Sequence, residues 1–200
     1  IDEEGAFLCQ SPANPQFESA SDLALCRLLG GREFFVQNHI FSRASFDRCG
    51  GLVDLPCGLF SEDAGFASMS RETGVATIPT GRVNWRQSRF NLNAERPELV
   101  DQKLAAFMSY VSWVEVTFGD EGFTYRRMLR RGATKWILSA VPYMGGAPSL
   151  RSQIGFYGFF LRFAPWGFPR VFRRTWIQWN QMRSRFPGNA AEGAARSTVP

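Results

Sequence analysis

The sequence predicts an α/β domain with few strands, followed by a mostly helical C-terminal region. Two patterns and one charge asymmetry lead there. Up to residue 96, short β-branched or aromatic runs alternate with helix-like segments. From Pro97 onward, apolar residues recur every three or four positions, the period of a helix with one buried face. Residues 1–120 carry 10 Lys/Arg and 16 Asp/Glu, a net charge of −6, whereas residues 121–200 carry 13 and 2, a net charge of +11. Such a split suggests an acidic body joined to a basic appendage with an anionic neighbour.

The elements follow in order. Ser11-Pro12-Ala13-Asn14-Pro15 is a turn cluster. A helix starting near Ser19 or Ser21 gains an apolar side from Leu23, Leu25, Leu28 and Leu29, and Gly30-Gly31 ends it. Residues 34–42 mix strand and helix signals, and Ser45 to Cys49 reads as a helical turn broken by Gly50-Gly51. Ser61 is the expected N-cap of a helix reaching Glu72, with Glu62 and Asp63 in the first turn, where negative charge is favoured. Gly74 closes that segment, and Val75–Pro79 and Arg82–Arg86 read as short strands. Helices are expected over about 97–118 and 122–141, with 97–141 forming a packing unit. Pro142–Pro148 is a linker, and 149–186 forms a basic aromatic helical appendage interrupted around Pro165–Pro169. The Gly/Ala/Ser-rich stretch 187–200 is expected to be disordered.

Composition excludes some function classes. With 44% hydrophobic and 20% charged residues, the chain has enough apolar material for a core, so global disorder is not expected. Cys9, Cys26, Cys49 and Cys57 are scattered, and His39 is the sole histidine. No zinc-type ligand spacing exists, and free thiols and a structural His39 are expected. The most apolar stretch, Ile154–Phe168, is too short to span a bilayer and is interrupted by Arg162.

Four pieces then occur in fixed order: Ile40-Phe41-Ser42-Arg43; Phe46-Asp47-Arg48-Cys49-Gly50-Gly51-Leu52-Val53-Asp54; Phe60-Ser61-Glu62-Asp63; and Gly74 to Pro79 leading into Val83-Asn84-Trp85-Arg86-Gln87-Ser88-Arg89-Phe90-Asn91. Together they resemble the acceptor-side half of family 2 glycosyltransferases, over roughly residues 34 to 93. The resemblance implies a partial GT-A fold, that of nucleotide-diphospho-sugar transferases, over residues 1–96. It implies inverting transfer from a nucleotide sugar to a glycan or lipid-linked acceptor. Such transfer needs a base to take the proton of the attacking hydroxyl. By the resemblance, Asp63 is that base, and Glu62 orients the acceptor. Trp85, Arg86, Ser88 and Asn91 fall where the family places residues near the donor diphosphate, and Gly50 and Gly51 shape the acceptor pocket.

The family's DxD-type motif is not found in this sequence, so the divalent metal it implies (Mg or Mn) would take its ligands from outside this chain. The resemblance places a donor-binding half before Ile1 and implies a cytoplasmic enzyme, peripheral on the inner face of the plasma membrane. Aromatic residues interleaved with arginine across 151–186 suit an anionic membrane surface. No nucleic-acid-binding module is visible.

Overall fold

A computed structural model describes residues 6–7, 13–31, 35–80, 83–84 and 96–185. Within these the protein is mainly helical. Seven α-helices occur: α1 (Ala20–Leu29), α2 (Arg43–Arg48), α3 (Ser61–Met69), α4 (Val100–Phe118), α5 (Phe123–Ala140), α6 (Leu150–Phe163) and α7 (Phe168–Arg185). The β-structure among the described residues is one antiparallel pair, β1 (Phe17–Glu18) with β2 (Val75–Ala76), in the register Phe17↔Ala76 and Glu18↔Val75.

The expected partial GT-A fold is therefore corrected. An α/β fold of that kind needs a parallel sheet of several strands with crossover helices. Here the described residues form two-residue strands paired antiparallel, and helices supply the core. The strand expected at Val75–Pro79 contracts to Val75–Ala76. Val83 and Asn84 belong to no regular element, and the rest of Arg82–Arg86 lies outside the described residues, as does 187–200. Of the region 34–42, the described residues 35–42 hold a 3₁₀ turn at Val36–Asn38 as their regular structure before α2.

Local chemistry explains the helices. Ser19 caps α1 by accepting the Asp22 amide at 3.0 Å, and Gly30 ends it in a left-handed conformation at φ 71°. Ser149 caps α6 in the same way, accepting from the Ser152 amide at 3.2 Å. Each long helix buries one stripe: Val100, Leu104, Phe107, Val111 and Val114 on α4, and Tyr125, Leu129, Ala133 and Ile137 on α5.

α1 lies tightly on α5 because Gly132 has no side chain. A β-carbon there would meet Leu28 Cβ at 3.3 Å. The aromatic residues of α6 and α7 join the same core. Phe160 stacks near Phe107 with ring centres 6.3 Å apart, and Trp179 packs against Phe156 at 5.4 Å. The basic C-terminal helices are thus packed on the body by their aromatic faces. Burying each such side chain contributes roughly 1.5–3 kcal/mol.

Candidate functional site

The acidic pair sits where the sequence placed it, at the start of α3, but its setting differs from the expectation. Ser61 is the first helical residue and not the cap. The cap position is Phe60, whose side chain makes no capping bond and whose backbone is left-handed at φ 68°. That conformation is unfavourable for a residue with a β-carbon, by about 1–3 kcal/mol. The Phe60 ring compensates by packing. It is buried, stacks on Tyr110 at 4.9 Å and meets Trp136 edge-on at 5.2 Å. The strained turn aims the first residues of α3 inward.

Asp63 is consequently buried, only 6% exposed. Arg27, in the last turn of α1, donates from Nε to Asp63 Oδ1 at 3.0 Å. The Arg27 guanidinium also lies over the Phe60 ring, 5.8 Å from its centre. Burial raises the Asp63 pKa above the ordinary carboxylate value. Arg27 opposes that shift, Glu62 adds to it, and burial wins. Tyr110 lies fully buried beside the pair, its hydroxyl 3.5 Å from the Ala24 carbonyl oxygen. Its pKa is raised well above the usual tyrosine value, first by burial and then by the Asp63 charge.

Glu62 is partly exposed on the same turn. Gly50 and Gly51 take left-handed conformations at φ 78° and 91° after α2, as their turn role requires. Leu52 carries that turn onto α3, since a β-carbon on Gly65 would lie 2.6 Å from Leu52 Cδ2. The Gly50-Gly51 turn thus reaches α3 through Leu52 and Gly65. Trp85, Arg86, Ser88 and Asn91 lie outside the described residues. His39 stacks on Phe66 of α3 at 4.2 Å. Cys26, Cys49 and Cys57 are free thiols.

Arg27 and Tyr110 are the residues sequence reasoning missed, and Phe60 entered it only as part of a motif, without its packing role. Arg27 carried one weak signal, a cation in the last turn of a helix, which pointed to the helix dipole and not to a partner 36 residues away. Among the described residues, no group of three or more His, Cys, Asp or Glu could hold a metal ion. The divalent metal implied by the resemblance therefore finds no fitting ligand set among them. The same residues contain no helix long and apolar enough to cross a membrane. No protein-family model, curated protein or solved structure matches this chain.

Proposed function

We propose that this chain is the acceptor-side part of a family 2 glycosyltransferase, with Asp63 as the catalytic base. The observation that supports it most is that two of the motif pieces meet at α3. The Gly50-Gly51-Leu52 turn packs against the helix that carries Glu62 and Asp63, through the bare face of Gly65. A strained Phe60 backbone at the same point adds support, because strain that persists is often part of a working site.

In this reading the acceptor hydroxyl gives its proton to the Asp63 carboxylate as its oxygen bonds to the anomeric carbon. The bond to the nucleoside diphosphate breaks on the opposite face, inverting the centre. A carboxylate whose pKa is raised by burial is a better proton acceptor than an ordinary one. Arg27 holds Oδ1 and fixes the side chain, which leaves Oδ2 for the proton. Glu62, partly exposed one residue before Asp63, would meet the acceptor. Trp85, Arg86, Ser88 and Asn91 keep their assignment to the donor side.

The deep burial of Asp63 favours a second reading. In it the Asp63–Arg27 pair is purely architectural, and the chain is a non-catalytic interaction module. The two readings separate on one variant. In the natural protein, Asp63→Asn is expected to lower sugar transfer by roughly 10²–10⁴-fold with donor binding unchanged. Transfer retained in a folded Asp63→Asn protein removes Asp63 from the mechanism.

A further inference from the structure

A concavity of about 1690 Å³ lies between α5 and the α6–α7 corner, and Asp63 is not among its lining residues. Its charge is one-sided. The stretch 122–185 contains no Asp or Glu and twelve Lys or Arg. Helical period sorts those cations outward. On α5 the inward positions are Tyr125, Leu129, Ala133 and Ile137, and on α7 Val171, Thr175 and Trp179 are buried. Arg127 and Arg131 of α5, and Arg170, Arg173 and Arg174 of α7, are left exposed and line the cleft. Among the described residues, none of these five forms a salt bridge with a carboxylate. Arg126, Arg130 and Lys135 line it too, and among the described residues Arg130 alone of the three meets an acid, Glu115 at 3.4 Å.

Such crowding of like charge is unfavourable unless an anion is at hand. The sequence placed the basic surface in 151–186, but five of these eight cations come from α5. The two helices are held together at Gly167, where a β-carbon would meet Thr134 Oγ1 at 2.9 Å. The apolar lining identifies the class of anion. Trp166, at the corner between α6 and α7, is 98% exposed, and Phe123 at the start of α5 is 80% exposed. Leu138 and Ile177 also line the cleft. Aromatic rings suit either a bilayer interface or unstacked bases, but aliphatic side chains have nothing to stack on a base and do partition among acyl chains. The volume exceeds that of an ordinary small-ligand pocket, as an open docking face would.

We propose that the α5–α7 cleft docks onto an anionic phospholipid bilayer, its arginines on lipid phosphates and Trp166 and Phe123 inserted at the interface. This inference is independent of the Asp63 reading. Each basic residue near such a surface changes binding by about fivefold.

The test is co-sedimentation of the chain with vesicles of phosphatidylglycerol and phosphatidylcholine, against phosphatidylcholine alone. Binding to the anionic vesicles is expected, falling with added salt. Arg170→Gln/Arg173→Gln/Arg174→Gln should weaken it roughly a hundredfold. Arg127→Gln/Arg131→Gln should also weaken it, and Trp166→Ala should weaken it without altering the salt dependence. Arg48→Gln/Arg71→Gln, exposed arginines elsewhere, should leave it unchanged. The proposal is overturned by no preference for anionic vesicles, by equal loss in the Arg48/Arg71 control, or by a single-stranded oligonucleotide displacing the chain from vesicles at lower concentration than free polyphosphate does. Circular dichroism of each variant shows that loss of binding is not loss of fold.

Discussion

The protein handles arginine in two opposite ways. On α1, Arg27 is drawn into the body, its side chain only 19% exposed, and answers the buried Asp63 at 3.0 Å. Along α5 and α7, arginines stand outside and, for the most part, opposite no acid among the described residues. The difference teaches where charge is costly. A buried charge loses its water and must be matched within the fold, whereas an exposed one keeps its water and its repulsion is damped by salt. The first arrangement makes a rigid site, and the second makes a surface that awaits a partner.

The largest expected effect comes from breaking the buried pair. Arg27→Ala leaves the Asp63 carboxylate without its cation and should cost about 3–5 kcal/mol of unfolding free energy. It should also push the Asp63 pKa further up, because Arg27 is the main influence holding it down. Urea unfolding at neutral pH measures the first and NMR titration of the side-chain carboxyl the second. A loss below about 1 kcal/mol would mean that the pair contributes no more than a surface salt bridge.

Next in size is the contact between the glycine turn and the acidic helix. Gly65→Val forces bulk against Leu52, whose Cα lies 3.4 Å from where the new β-carbon would be. Overpacking of this kind costs about 1–3 kcal/mol. Gly65→Ala is expected to be milder. The Leu52 side chain is partly exposed and can turn aside, and alanine improves helix propensity by about 1 kcal/mol. Thermal unfolding of the two variants should rank them in that order.

How much of this was legible in the sequence depended on range. The α1 helix, its Ser19 cap and its Gly30 stop are written within a dozen residues, and so are α4, α5 and the α6–α7 break. Their signals are local periodicity and capping chemistry. The α/β expectation failed because a short apolar run such as 35–41 fits a strand or an exposed turn equally well, and neighbours decide which. The acidic pair was legible as a helix start. Its burial was not, since that depends on Phe60 turning left-handed to stack on Tyr110, fifty residues on. The basic surface was legible by composition, but its partition between α5 and α7 needed the fold.

The pH dependence probes the buried half of the comparison more gently. Asp63 has a raised pKa in the folded state, so the folded protein binds that proton more tightly than the unfolded chain does. The stability it contributes is full below the unfolded value of 3.8 and is lost as pH rises through the folded value. Wild-type stability minus that of Asp63→Asn should therefore increase as pH falls from 7 toward 4. Its slope cannot exceed about 1.4 kcal/mol per pH unit, one proton's worth. A difference that shrinks on acidification would mean that Arg27, and not burial, governs the carboxylate.

The smallest effect is expected where the charge is most conspicuous. Arg170→Gln/Arg173→Gln/Arg174→Gln removes three cations from the exposed face of α7 and should alter unfolding free energy by no more than about 0.5 kcal/mol. The sign should be stabilising at low ionic strength, because repulsion with Arg127 and Arg131 across the cleft is relieved, and it should vanish as salt is added. Urea midpoints at low and high salt measure this directly. A loss of several kcal/mol, comparable to Arg27→Ala, would mean that these arginines hold the helices together rather than face a partner, and the contrast between the two arginine populations would fail.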